Sequence, residues 1–293
     1  MHPVLFRLKL PHFLHGILSD YFTIYTYGFL IAVGIVLAYI YTTWQARKQL
    51  GLKSDVITNM TIVIMIAAFI GGKIFFYFED PSFYFGHPAN MLKYMNSGFV
   101  FYGSLIFAVP SIIWFFKKNK IPVFKMLDII AITACIVHAF GRTGCFMAGC
   151  CFGKPTESFF GVIFSNPVCA ASPLNIPLHP TQLYDVFLLL TIIVILLIIK
   201  KHKRFDGQMF LIYIMLYAFG RSMIEIFRGD VERGFIIKNV FSYAQLVSLV
   251  LILFAITGYI ILEKRNRKLK KEEENQSKNI HENPNLNTLG SEG

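Results

Sequence analysis

Seven apolar runs, at about 22–43, 56–78, 98–116, 127–147, 181–200, 209–228 and 240–262, alternate along the chain with polar stretches. As helices rising about 1.5 Å per residue, such runs are long enough to cross a hydrocarbon core about 30 Å thick. Several contain glycine, and one contains Pro110; both residue types are commoner in membrane helices than in soluble ones. The pattern predicts an all-α polytopic membrane protein with seven transmembrane helices and no internal repeat. The first twenty residues, rich in Phe, Leu and His with few charges, predict an amphipathic arm along the outer interface. The stretch 152–180 is long enough to form a small external cap, with Cys169 exposed in it. Beyond the last run, EEENQSKN and NPNLN are polar and low in aromatics, which predicts a disordered cytoplasmic tail. The expected division is a membrane domain over 1–262 and a tail over 263–293.

Charge then orients the runs. The stretches after the first, third, fifth and seventh runs hold eighteen Lys and Arg residues, led by KRNRKLKK in the tail. The N-terminus and the alternate stretches hold six: Arg7, Lys9, Lys93, Lys154, Arg233 and Lys238. This bias places the N-terminus outside and the C-terminus in the cytoplasm. The formal charge of +11 in a chain 55% hydrophobic and only 15% charged is thus a topology signal, and no nucleic-acid partner is expected. The first run carries its basic residues after it (Arg47, Lys48), whereas a cleavable signal carries them before. Five cysteines, two of them adjacent at Cys150 and Cys151, argue against a disulfide framework. Neither a CxxC pair nor zinc-finger spacing is present, and neither a metal nor a cofactor is expected.

Four cations fall inside the runs: Lys73, Arg142, Arg221 and Arg228. A cation at membrane depth costs several kcal/mol unless it is paired or hydrated, so each marks a candidate site. With the orientation above, Lys73, Arg142 and Arg221 lie about 25, 22 and 18 Å from the inner edge of the core. All three are in the outer half, and Arg228 is at its boundary. Other polar residues follow them: Tyr27, Tyr102, His179, Gln182, Tyr184, Asp185 and, on one helical face with Arg221 and Arg228, Glu225. His138 and Arg142 share a face at i, i+4. Structural ion pairs explain any one of these, but they have no reason to avoid the inner leaflet. Arginines outnumbering carboxylates there imply a missing anion, and a phospholipid phosphate suits the planar guanidinium fork. Such a site binds, transports or catalyses on a lipid. Transporters place substrate near the midplane, usually with internal pseudo-symmetry, which is not evident here. Catalysis needs electrostatic stabilisation of a leaving phosphate, which arginines supply, and a base, for which His138, His179 and Tyr102 are candidates.

Five motifs then carry a family resemblance: YTYGFLIAVG with Tyr27 and Gly28, GGK at Gly71–Lys73, FGRTGCFMAGCCFG, LHPTQLYD and YAFGRSMIEIFRGD. In this order, on these runs, they resemble the bacterial prolipoprotein diacylglyceryl transferases over roughly residues 20–262. The resemblance implies transfer of a diacylglyceryl group from phosphatidylglycerol to the lipobox cysteine thiol of a prolipoprotein. A thioether forms and glycerol phosphate leaves, at the outer face of a bacterial cytoplasmic (inner) membrane. It implies partners accordingly: phosphatidylglycerol, prolipoprotein signal peptides with a lipobox cysteine, and membrane lipids. Carried over by motif, Arg142 and Arg221 bind the phosphate and stabilise the leaving group, and Tyr27 and Tyr217 order the site. Lys73, Tyr184, Glu225 and Arg228 complete the expected substrate-binding set, with Cys145 and Cys150. Those two cysteines stand where the family usually has Asn and Glu, and Tyr102 aligns with its histidine. The expected base is therefore absent, leaving His138 or His179 as a replacement, or arginines acting on an acceptor cysteine already partly thiolate. The cysteines read as packing residues, as polar lining, or as a nucleophile, redox pair or metal site. The alternatives in function are a same-scaffold protein acting on another lipid or thiol, and a non-catalytic lipid-binding or transport protein.

Overall fold

A computed structural model describes residues 2–9, 21–94, 98–229, 235–237 and 241–282. Among the described residues the chain is mostly helical, and the strands form only two-stranded antiparallel pairs with no closed sheet. Five helices among the described residues are long and apolar enough to cross a membrane: Thr26–Leu50, Ser54–Tyr77, Val123–Ala148, Thr181–Lys201 and Tyr243–Asn275. This is a multi-pass membrane protein. Large apolar side chains stand outward on these helices, Phe254 at 63% and Phe187 at 74% exposure, as a lipid environment allows.

The chain opens with β1 (Val4–Lys9) paired antiparallel to β2 (Tyr21–Tyr25). Over residues 4–9 this differs from the amphipathic arm that composition predicts, and residues 10–20 of that arm lie outside the described residues. The two segments pair the facing half of each other's backbone groups, with an irregularity in register between Val4 and Phe6. β2 runs straight into α1 (Thr26–Leu50), whose first residue is tied back by Thr26 Oγ1 donating to His2 O at 2.5 Å.

Two compact units follow, with boundaries inside α1 and the fourth long helix: residues 32–137 in one, and 1–31 with 138–293 in the other. In the first unit, α2 (Ser54–Tyr77) packs on α5 (Phe101–Lys118). Between them lie two short helices, α3 (Pro81–Phe85), capped by Asp80, and α4 (Pro88–Lys93). The crossing of α2 and α5 is glycine on both sides. A Cβ added at Gly71 would lie 2.3 Å from Gly103 O, and one added at Gly103 would lie 2.5 Å from Gly71 O. Small residues are what lets helices approach where no hydrophobic force drives them together. At the other end of the unit Ile57, Phe116, Met126 and Ile129 form a buried core. There α6 (Val123–Ala148) is joined to α1 by Thr42 Oγ1 and Thr133 Oγ1 at 2.6 Å.

In the second unit, α6 ends at Ala148 and the chain enters a compact loop region containing β3 (Val162–Ile163) and β4 (Pro177–Leu178). Its core is Phe164, Cys169, Ala171 and Leu178. Cys169, expected to be exposed, is buried there, and burial pushes its thiol up. Three further helices complete the unit: α7 (Thr181–Lys201), α8 (Gln208–Glu225) and α9 (Tyr243–Glu282). The hairpin of β5 (Phe235–Ile237) and β6 (Phe241–Ser242) precedes α9. Gly220 admits Leu188 between α7 and α8, where a Cβ would meet the Leu188 methyls at 2.4 Å. Where composition predicts disorder from Glu263, α9 continues helically to Glu282. Good helix formers and charge pairs one turn apart, such as Arg267 with Glu263 at 2.7 Å, carry it on. Residues 283–293 of the expected tail, and Arg233 and Lys238, lie outside the described residues.

Candidate active site

α6, α7 and α8 bring the second unit's charged residues together. On α6, Arg142 lies one turn beyond His138, and its Nε donates to His138 Nε2 at 3.2 Å. That fixes the histidine as the acceptor, with its ring proton on Nδ1. The ring meets Tyr217 of α8 edge-on at 5.1 Å, and Tyr217 is also in hydrogen-bond reach of Arg142. From the first turn of α7, Asp185 is wholly buried, with Oδ2 3.1 Å from Arg142 Nε. Since that N–H points to His138, the carboxylate holds the guanidinium by charge and not through an aligned hydrogen bond. Asp185 also lies within electrostatic reach of Arg221 and Arg228.

On α8, Arg221 Nη2 lies 2.5 Å from Glu225 Oε2 one turn later. Arg221 Nη1 is buried and makes no hydrogen bond among the described residues. α8 stops at Glu225, so Arg228 does not continue a helical face with Arg221 and Glu225. It sits just past the helix end, buried, in a bridge to Gly153. That contact needs glycine, because a Cβ at Gly153 would lie 2.6 Å from Phe227 O. Three guanidiniums thus face two carboxylates in this site.

The LHPTQLYD segment organises the α6–α7 junction. Thr181 Oγ1 donates to Cys151 O at 2.7 Å and Gln182 Nε2 to Cys150 O at 2.6 Å. Pairing motifs in sequence did not assign these two residues a role. Their position, directly after a proline that starts a helix, was the available signal. Asp185 likewise stood in the motif without a partner until the fold gave it Arg142. His179 Nδ1 and Tyr184 Oη are 3.0 Å apart, with Phe227 against the imidazole at 5.1 Å. Beside them is an open apolar cleft of about 430 Å³, lined by Phe160, Val162, Pro180, Leu183, Tyr184 and Phe187. Tyr27, at the start of α1, is 41% exposed and lies against Gly144 of α6, whose added Cβ would be 3.0 Å from Tyr27 Cδ2.

On a helix Cys150 and Cys151 would point apart, but α6 has ended, and left-handed turns at Gly149 (φ 74) and Cys151 (φ 62) fold the chain back. The Cys145, Cys150 and Cys151 sulfurs lie within 4.8 Å of one another. Of these thiols Cys151 is held down, by hydrogen bonds with Cys145 and Cys150 and by the Arg228 guanidinium.

Lys73 and Tyr102 belong to the first unit. Lys73 is buried, donates to Gly98 O at 2.9 Å and Tyr94 O at 3.5 Å, and lies over the Phe76 ring at 5.1 Å. It ties the α4–α5 connection to α2. Tyr102 is 63% exposed on the first turn of α5.

Fold and site together define a helical membrane protein with a buried, arginine-rich centre suited to an anion. The family model for prolipoprotein diacylglyceryl transferase matches residues 16–261, and the chain belongs to that family. It is 37% identical over 256 residues to the phosphatidylglycerol–prolipoprotein diacylglyceryl transferase of Clostridium tetani, covering 87% of this chain and 96% of the relative. It is 31% identical over 245 residues to the transferase 2 of that name from Clostridium perfringens (84% and 93% covered). A relative from Dehalococcoides mccartyi is 29% identical over 245 residues (84% and 92%). The resemblance carried by the five motifs is thereby confirmed.

Proposed function

We propose that this protein transfers the diacylglyceryl group of phosphatidylglycerol to the lipobox cysteine of prolipoproteins, in lipoprotein biosynthesis. The observation that carries the reading is the buried, unpartnered Arg221 Nη1 in a centre of three guanidiniums and two carboxylates. A phosphodiester completes that centre, accepting from Arg142 and Arg221 in parallel and supplying the missing charge. The thiol sulfur attacks the glyceryl carbon that bears the phosphate, the C–S bond forms as the C–O bond breaks, and the electron pair stays on the phosphate oxygen. The guanidiniums are complementary to the charge developing on that oxygen, which is how they lower the barrier. The acceptor's proton leaves with glycerol phosphate.

His138 supports the reading as a positioning residue: its Nε2 lone pair is engaged by Arg142, so it orients the guanidinium and is not placed to take a proton. The apolar cleft beside Tyr184 suits an acyl chain or the apolar stretch of a signal peptide. The proposal includes seven spans, α5 and α8 (18 residues each) each reaching about 27 Å. It also includes an outward N-terminus and a site opening to the outer face of a bacterial cytoplasmic membrane, as the Lys and Arg distribution supports.

The test is complementation of a strain depleted of its own transferase, alongside turnover of phosphatidylglycerol and a lipobox peptide by the purified protein in liposomes. Thioether formation and growth are expected. A well-expressed, inserted protein that does neither overturns the reading in favour of a lipid-binding or transport role, or of a different acceptor.

A further inference from the structure

The reading above leaves unused the three thiols that the end of α6 brings together. Cys145 is on the last turn of the helix, and Cys150 and Cys151 follow the left-handed Gly149. Cys151 is itself left-handed, a conformation that costs a non-glycine residue about 1–2 kcal/mol, so the surrounding structure is holding it. Thr181 and Gln182 supply that hold by clamping the carbonyls of Cys151 and Cys150. The sulfurs are thus arranged by the fold and need no ligand to gather them. All three are half-buried and none is in a disulfide.

A tetrahedral cation with bonds of about 2.3 Å holds its sulfurs about 3.8 Å apart, inside the 4.8 Å within which these three already lie. Three thiolates select thiophilic cations over Mg²⁺ or Ca²⁺. With Zn²⁺ they carry one net negative charge, next to Arg228. Three protein ligands on a half-exposed turn leave the fourth position open, as catalytic zinc sites do and structural ones do not.

We infer that Cys145, Cys150 and Cys151 form a site for one thiophilic divalent cation, whose open position takes the acceptor thiol as a thiolate. The second half of this inference rests on the transferase reading. There, the acceptor S–H gives up its proton on coordination, which is one way a weak nucleophile is activated. The bound sulfur then forms the C–S bond as the C–O bond to phosphate breaks. The proton ends on glycerol phosphate, and nothing is oxidised or reduced. In the second unit His138 is engaged by Arg142 and His179 by Tyr184; the bound cation acidifies the acceptor thiol without calling on either.

The experiment is a titration of the full-length, chelator-treated protein in detergent with Co²⁺ alone, read by optical absorption. One equivalent is expected to give thiolate-to-cobalt charge-transfer bands with the strong visible absorption of tetrahedral geometry, displaced by Zn²⁺. Cys145→Ser, Cys150→Ser and Cys151→Ser each weaken binding roughly tenfold or more, while Cys135→Ser and Cys169→Ser leave it unchanged. A lipobox peptide shifts the visible bands, and its Cys→Ser form does not. Folded wild-type protein that takes up no cobalt, or binds it without thiolate bands, overturns the inference while leaving the transferase reading intact. Cobalt binding with those bands in a protein that does not turn over phosphatidylglycerol upholds the metal site and overturns the transferase reading.

Discussion

Replacing Arg142 by lysine separates the charge at the centre from the geometry of its donors. Arg142 Nε is held by His138 at 3.2 Å and faces Asp185 at 3.1 Å, which leaves the terminal nitrogens for a phosphate. Lysine keeps the positive charge and a pairing with Asp185 but loses the planar fork. Two hydrogen bonds to a charged phosphate contribute about 1.5–3 kcal/mol each. An ammonium recovers one of them in part. The net loss in the transition state is about 3–4 kcal/mol, or roughly 10²–10³-fold in turnover. Arg142→Ala removes the charge as well and takes from buried Asp185 its nearest guanidinium, with Arg221 and Arg228 still in reach, which adds up to about 3–5 kcal/mol of destabilisation. The assay is thioether formation from labelled phosphatidylglycerol and a lipobox peptide in liposomes, with thermal unfolding measured on the same preparations. Lysine is expected to cut turnover with little change in unfolding temperature, and alanine to change both. A lysine variant within threefold of wild-type turnover would mean that the phosphate does not sit on this fork.

Three further outcomes follow from the same geometry. His138→Gln, which offers Arg142 an acceptor oxygen, should keep turnover within about tenfold and leave the acid side of the pH profile in place; a fall of about 10²–10⁴-fold would restore the histidine as a base. Gly103→Ala drives a methyl into Gly71 O, 2.5 Å away, and should destabilise the α2–α5 pair by about 1–3 kcal/mol, read as a lower unfolding temperature; unchanged unfolding would mean the crossing is looser than described. Thr181→Val removes the donor to Cys151 O and should cost about 1–3 kcal/mol, with the unfolding midpoint again the measurement and an unaltered midpoint the refutation.

The helices were legible because a bilayer imposes a long apolar run on any segment that crosses it: α2, α6 and α7 follow their runs closely, while α1 and α9 continue past theirs. Arg142 and Arg221 were legible because a cation is costly at such depth. What one dimension hides is where a helix stops. Cys150 and Cys151 look like successive helical positions, and only the ending at Ala148 makes their sulfurs converge with Cys145. The ending at Glu225 takes Arg228 off its expected face in the same way. Lys73 resembles the arginines in depth and charge, yet Gly98 and Tyr94, more than twenty residues later, supply the carbonyls that satisfy it. The pairing of Val4–Lys9 with Tyr21–Tyr25 and the burial of Cys169 are likewise products of contacts distant in sequence.

The clamp of Thr181 and Gln182 on the Cys151 and Cys150 carbonyls also bears on how the region between them can vary. It pins both ends of a thirty-residue excursion to one point. The entropy of closing that loop is already met at its neck, and it grows only as about (3/2)RT ln n with length. The middle of the loop is tied there too, since Ala170 N donates to Ala148 O at 3.0 Å and Phe164, Cys169 and Ala171 pack in a core that Phe146 joins; only its outward residues, such as Phe159 and Phe160, can change without moving the thiol turn. The neck and core of the loop thus hold the thiol turn in place, and the room for variation lies in the loop's outer rim.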